Sequence, residues 1–167
     1  MRIPSLLLLL CLPAAGCLQV GGSPAPAAVT GTGEISFELA GQGGAAIVVP
    51  ARINDSGPYR LIVDTGATIT CLDRTVVEEL QLPSPRGVVG YGATVGTSGT
   101  VGVHRIDTLQ VGDTTASGLT ACALDLGNMK NLGLEAHGLL GLNFLRSFRV
   151  TFDFERNVMR LERPDGG

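Results

Sequence analysis

The chain has 167 residues, a length typical of one domain, and a formal net charge of −3 at pH 7. Its 12 Lys and Arg residues form no basic stripe that could replace counterions on phosphates, so no nucleic-acid partner is predicted. The 24 glycines and the charged fraction of 16% favour a turn-rich, mostly β protein over a helical bundle.

The N-terminus has the pattern of a secretory signal peptide, predicted over residues 1–16. Arg2 supplies a positive charge, and residues 6–12 form an apolar stretch too short to span a bilayer as a helix. Ala14-Ala15-Gly16-Cys17 resembles the bacterial lipobox, in which the cysteine becomes the lipidated N-terminus, although Ala14 stands where leucine is usual. We expect lipidation at Cys17; ordinary signal-peptidase cleavage after the small residues is the alternative.

Composition divides the rest of the chain. Residues 17–33 are predicted to be the lipidated cysteine and a flexible linker, because they carry almost no large side chains. The folded domain is predicted over residues 34–163, followed by a tail at 164–167. The expected location is the bacterial cell envelope, where acyl chains would hold the protein to a membrane on the periplasmic face or at the cell surface.

Strands in the first half of the domain are predicted where apolar and polar residues alternate or β-branched residues cluster. They cover residues 35–39, 47–53, 59–63 and 67–72, with a hairpin turn at 54–58. Asp73 is predicted to be the N-cap of a helix over 75–80, which Pro83 and Pro85 end.

The second half predicts further strands and one more short helix. Residues 88–106 read as two strands joined by a Gly-rich tip, and strands follow at 109–111 and 119–126. The segment 142–148 is a short helix candidate, and 149–154 with 158–161 predicts a terminal hairpin.

The most informative segment runs from Leu61 to Ile69. Large apolar residues lead into Asp64-Thr65-Gly66, and a β-branched strand follows. A carboxylate placed where burial would desolvate it must find partners or titrate abnormally, and this is typical of functional sites. An Asp at a strand-end turn that bonds its own backbone is the alternative.

This segment resembles the active-site loop of aspartic proteases. Gly138-Leu139-Leu140-Gly141 resembles the element that supports this loop in the same family, and residues 109–112 and 142–154 are similar to segments of bacterial retropepsin-like domains. The resemblance covers about residues 47–161. It implies a mostly β, single-lobe, retropepsin-like closed β-barrel, the acid protease fold, with one or two short helices.

The resemblance implies an aspartic endopeptidase that acts on a protein or peptide substrate, with Asp64 as its catalytic carboxylate. This chemistry needs two carboxylates that share a proton, and the chain has one such loop, so we expect a homodimer with two-fold symmetry. Thr65 would bond across the dimer, Gly66 would admit the substrate backbone, and Ala67 would line the site. Leu139, Leu140 and Gly141 would support the loop.

Residues 88–106 fit the flap of the same family, with Gly90, Tyr91 and Gly92 as flap candidates. The Tyr91 hydroxyl could act there, and a packing role is equally expected. The glycine spacing also suggests a nucleotide-binding loop, but no helix follows that could hold a phosphate.

His137 departs from the family, which often has Asp before the apolar-apolar-Gly element. A surface or satisfied histidine is the favoured interpretation, and altered support for the active-site loop is the other. The departure gives weight to an alternative function, a catalytically inactive retropepsin-like lipoprotein that binds peptides.

Two cysteines, Cys71 and Cys122, remain in the predicted mature domain. An oxidising compartment would let them form a disulfide, and two buried free thiols are the alternative. With His104 and His137 they show no zinc-type spacing, so neither a metal site nor a cofactor is predicted.

Overall fold

The chain folds into a mostly β structure in the computed structural model, which describes residues 28–84, 89–94 and 97–164. The strands are β1 Ala28–Thr30, β2 Gly33–Ser36, β3 Glu38–Ala40, β4 Ala46–Ile53, β5 Ser56–Val63, β6 Thr70–Asp73, β7 Val89–Thr94, β8 Thr97–Val111, β9 Thr114–Leu124, β10 Gly138–Leu140, β11 Arg149–Asp153 and β12 Val158–Glu162. The helices are α1 Arg74–Glu79 and α2 Leu142–Leu145, with 3₁₀ turns at Gln42–Gly44 and Gly127–Leu132.

Strands β9, β6, β10, β5, β4 and β8 form a closed barrel, because β9 pairs with both β6 and β8. β1, β3 and β7 extend this sheet by pairing with β9, β4 and β8. A separate three-stranded sheet has the order β11-β12-β2. This architecture confirms the predicted single-lobe closed barrel, and the described part of the chain has two short α-helices.

Strands around the predicted site are buried on both faces. Leu61, Leu72 and Leu140 point into the main core, where each is fully buried. Their chain neighbours Ile62, Cys71 and Leu139 belong to a second apolar cluster. Because successive side chains of a strand point to opposite faces, this pattern places β5, β6 and β10 between two apolar layers.

A disulfide joins two neighbouring strands of the barrel. Cys71 in β6 and Cys122 in β9 lie directly opposite each other in the parallel register, with a Cα–Cα distance of 4.4 Å. The bond therefore clamps the strand that follows residues 64–69 to the next strand of the barrel.

Two boundaries predicted in the N-terminal region, those of the first strand and of the folded domain, differ from the structure. The strand predicted at 35–39 is two strands, because β2 pairs with β12 whereas β3 pairs with β4. Phe37 between them is buried, and its N–H donates to the Asn157 carbonyl at 2.9 Å. β1 lies inside the predicted linker and pairs with β9, so the folded structure includes residues from Ala28, before the predicted start at Glu34.

Other predicted helices and strands are present in the structure, but several of them begin or end at different residues. The Asp73 carboxylate accepts from the Thr75 N–H at 2.9 Å, which confirms the predicted N-cap of α1. The strand predicted from Ala67 begins at Thr70, since residues 64–69 form a loop. The strand predicted at 109–111 is the end of β8, and α2 stops at Leu145 rather than at 148.

In the residues that the structure describes, every helix is too short or too polar to cross a membrane. The predicted signal peptide and Cys17 lie outside the described residues, so both stay predictions.

Candidate active site

Asp64 directly follows β5, and residues 64–69 carry the chain from β5 to β6. β10 lies between these two strands, parallel to β5 with Leu139 opposite Ile62, and antiparallel to β6 with Leu139 opposite Cys71. The loop that connects β5 to β6 therefore passes over the C-terminal end of β10. This brings together Asp64 and the predicted support residues, which are about 75 positions apart in the sequence.

Backbone hydrogen bonds fix this loop against the segment that follows β10. The Asp64 N–H donates to the Leu140 carbonyl at 3.0 Å. The Leu142 N–H donates to Ala67 at 2.8 Å, and the Asn143 N–H donates to Thr68 at 3.1 Å. Because both ends of the loop are bonded to one short segment, its path is set by backbone groups rather than by side chains at its tip.

Two glycines allow the close approach of these backbones. A Cβ added to Gly141 would lie 2.4 Å from the carbonyl carbon of Ile69, and one added to Gly138 would lie 2.5 Å from the Cys71 oxygen. Both contacts are with backbone, which cannot move aside as a flexible side chain can. The Gly-bracketed motif is therefore a packing requirement beneath the Asp64 loop.

Asn143 holds the far end of the loop from inside the protein. It is 5% exposed, and its Oδ1 accepts from the Thr70 N–H at 2.8 Å and the Thr70 hydroxyl at 2.9 Å. Its amide nitrogen donates to the Thr120 carbonyl at 2.8 Å, and the Gly141 N–H donates to the Thr70 hydroxyl oxygen at 3.2 Å. A buried amide needs such partners, and here they join the start of β6, β9 and α2.

Neither Thr70 nor Asn143 was predicted from the sequence to belong to the site. The available signal was a single amide inside the apolar run Leu142 to Leu145. A polar residue at a position that burial will cover requires hydrogen-bond partners, and this requirement would have marked Asn143.

The Asp64 carboxylate lies at the surface end of this framework and is half-buried. Its Oδ1 accepts from the Gly66 N–H at 2.8 Å. Its Oδ2 has no hydrogen-bond partner in the described part of the chain. One oxygen of Asp64 thus bonds the backbone of its own turn, as the alternative interpretation of this residue expected. The other oxygen is available for an external group.

Thr65 and Gly66 are exposed at the tip of the loop, and Ala67 is partly buried. Leu139, Leu140 and Gly141 are buried behind it. The structure thus separates the predicted residues into a set at the surface end of the loop and a buried set beneath it.

His137 is exposed and lies directly before β10. Its Nδ1 accepts from the Arg60 N–H at 3.0 Å, so the histidine is a satisfied surface residue. Its own N–H donates to the Arg60 carbonyl at 2.8 Å, and its carbonyl accepts from Asp73 at 2.8 Å. A carboxylate at this position has oxygens that can accept the same N–H, which explains how histidine can replace the usual Asp without loss of this contact.

The predicted flap is a two-stranded hairpin. β7 and β8 pair from Val89 opposite Gly102 to Thr94 opposite Thr97, so Gly90, Tyr91 and Gly92 lie in β7. Residues 95–96 at the tip and the Tyr91 side chain are outside what the structure describes. The role of the Tyr91 hydroxyl stays a prediction.

A single-lobed closed barrel that carries an Asp-Thr-Gly loop over a Gly-bracketed strand defines an acid-protease-like domain. The sequence model of the aspartyl protease family matches residues 49–144. This match covers the Asp64 loop, the β7–β8 hairpin and β10, and the chain therefore belongs to the aspartyl protease family.

Two solved structures are similar to this chain. A crystal structure of a retropepsin-like aspartic protease from Rickettsia conorii superposes with a TM-score of 0.54 and 18% identity, over 81% of this chain and 93% of that chain. The retroviral protease-like domain of a Leishmania major protein gives a TM-score of 0.44 and 17% identity, over 72% and 96% of the two chains. At 18% identity the first similarity shows the fold alone. No curated protein sequence matches the chain.

Proposed function

We propose that the chain is an aspartic endopeptidase whose active site is completed by a second copy of itself. The observation that carries this proposal is the Asp64 loop, which holds a half-buried carboxylate with one oxygen bonded to Gly66 and the other available. One chain supplies one such loop, and the hydrolytic chemistry needs two carboxylates that share one proton. An isologous two-fold dimer brings two identical Asp64 side chains together.

The mechanism follows from the protonation of this pair. One carboxylate takes a proton from a water molecule as the water oxygen attacks the scissile carbonyl carbon. The other, protonated, donates a hydrogen bond to the carbonyl oxygen. The first carboxylate then passes the proton that it took from water to the leaving nitrogen as the C–N bond breaks. The two groups titrate as one coupled pair, so the pH profile reports the pair.

The exposed end of the Asp64 loop and the β7–β8 hairpin take matching roles in this proposal. Exposed Thr65 and Gly66 lie where the partner loop and the substrate backbone would approach. The β7–β8 hairpin would act as the flap that covers a peptide and excludes water.

The direct test compares the wild-type chain with Asp64→Asn on a mixed peptide library at acid and neutral pH. Asparagine keeps an acceptor for the Gly66 N–H but cannot act as the base, so cleavage should fall by at least about 10²-fold. Equal cleavage by both proteins would contradict the proposal. Peptide binding without cleavage by either would favour the inactive, peptide-binding alternative.

We further propose that the protein is lipid-anchored through Cys17 in the bacterial cell envelope. The N-terminal pattern supports this, and the Cys71–Cys122 disulfide is compatible with an oxidising compartment. Cys17→Ser should move the protein from the membrane fraction to the soluble fraction and remove incorporation of a labelled fatty acid. An unchanged membrane fraction would contradict the anchor.

A further inference from the structure

Three large apolar side chains are markedly exposed in the described part of the chain. They are Leu39 at 48%, Leu142 at 36% and Phe154 at 58%. Single exposed apolar residues are ordinary on a protein surface and need no explanation by themselves. Their positions therefore decide whether any of them has a function.

Leu39 and Phe154 lie on other elements than the Asp64 loop. Leu39 is in β3, which adds to the barrel through β4. Phe154 follows β11, and its ring packs edge-on against Phe37 with the ring centres 5.6 Å apart. Neither residue has a hydrogen bond to residues 64–69.

Leu142 is bonded directly to the active-site loop. Its N–H donates to the Ala67 carbonyl at 2.8 Å, next to exposed Thr65 and Gly66. The residues on both sides of it, Gly141 and Asn143, are buried. The exposed Leu142 is therefore an isolated apolar group beside the outward part of the loop.

We propose that Leu142 packs against a second copy of this chain, as an apolar contact of the homodimer beside the Asp64 pair. This inference rests on the proposed function, since a two-fold axis that brings two Asp64 carboxylates together must pass close to residues 64–67. Leu142, whose backbone N–H is bonded to that loop, then lies near the axis, where its exposed side chain meets the partner. In an isologous interface the contact is made twice, so one substitution changes two contacts.

The test uses Leu142→Asp in the full chain, purified in detergent. The position is exposed and is the first residue of α2, where a carboxylate is favourable, so the fold should tolerate it. Loss of two apolar contacts and the placement of two like charges near one axis should raise the dimer dissociation constant about 100-fold or more. Leu39→Asp and Phe154→Asp are matched controls that should change it less than about 3-fold.

Sedimentation velocity over a range of concentrations gives the dissociation constants, and cleavage rates give a second readout. At concentrations above its raised dissociation constant, Leu142→Asp should recover the wild-type rate per dimer, and Leu142→Met should resemble wild type throughout. A dissociation constant equal to that of the controls would overturn the inference, as would a wild-type chain that stays monomeric. Normal dimerisation with slow cleavage would also overturn it, because Leu142 would then act on the substrate.

The two proposals fail in different ways. A Leu142 effect on sedimentation without any Asp64-dependent cleavage would support the interface and contradict the proposed hydrolysis. Asp64-dependent cleavage with no Leu142 effect would contradict the interface alone.

Discussion

Two regions of the molecule, the support beneath the Asp64 loop and the surface of the β11-β12-β2 sheet, depend on different kinds of interaction. Backbone approaches at Gly138 and Gly141 and the buried Asn143 amide fix the loop. The sheet instead carries an exposed charge cluster, in which Glu34 of β2 forms ion pairs with Arg156 and Arg160. Few residues can replace a glycine or a buried amide, whereas water and salt screen exposed charges. Substitutions should therefore cost much more beneath the loop than in the exposed charge cluster of the sheet.

The largest effect is expected from Gly141→Ala. Its Cβ would meet the Ile69 backbone at 2.4 Å, so the loop or α2 must move, and the free energy of unfolding should fall by about 3 kcal/mol or more. Gly33→Ala in β2 is the matched control, because its nearest contact is the Asp113 side chain at 3.3 Å. Denaturant unfolding measures both, and equal losses would remove the contrast between the two regions.

Removal of the disulfide should rank next. Cys71→Ala with Cys122→Ala releases a cross-link across 51 positions, and the free energy of unfolding should fall by about 2–4 kcal/mol. Reduction of the wild-type protein should give the same shift in thermal unfolding. No shift under complete reduction, verified by thiol counting, would mean that the cross-link does not stabilise β6.

Asn143→Ala should lower the free energy of unfolding by about 2–3 kcal/mol, because it removes the hydrogen bonds of the buried Asn143 amide to the Thr70 N–H and the Thr120 carbonyl. Thr70→Val and the double variant complete a mutant cycle, in which the coupling energy should reach about 1 kcal/mol. Additive effects would show that the Thr70–Asn143 contact does not act as a unit.

The smallest effect is expected from Glu34→Gln in the sheet. The hydrogen bond from Arg160 holds the pKa of Glu34 below its ordinary value of 4.5, so the ionised form stabilises the fold above that pH. This contribution should be lost as pH falls through the lowered pKa, and wild type and variant should then converge. Thermal unfolding of both proteins at pH 7 and pH 3 checks this, with exposed Glu155→Gln as the control. A stability difference between wild type and Glu34→Gln that is larger at pH 3 than at pH 7 would contradict the expected pH dependence.

Local chemistry made part of this molecule predictable. Asp73 was identifiable as a helix cap because its carboxylate bonds the backbone two residues away. Asn54 and Asp55 adopt the positive φ angles that a tight hairpin turn needs, in the segment predicted as a turn. The Asp64 loop and its glycine-bracketed support were recognisable as motifs, although their contact was known only by resemblance.

Contacts between distant residues could not be read from the sequence. Thr70 and Asn143 are 73 positions apart, and nothing local indicates that they share hydrogen bonds. The alternation at residues 35–39 likewise does not show that the chain leaves one sheet for another at Phe37. Such pairings depend on the packing of the whole barrel rather than on the pattern of one segment.

The central claim is that two copies of Asp64 form one active site, and mixing variants tests it most directly. Wild-type protein at a fixed concentration is equilibrated with increasing amounts of Asp64→Asn protein before cleavage is measured. If the two copies share the site, mixed dimers lack one acid group, and the cleavage rate should fall towards zero as the variant reaches large excess. A rate that stays constant at every ratio would show that one chain suffices and would contradict the shared dyad.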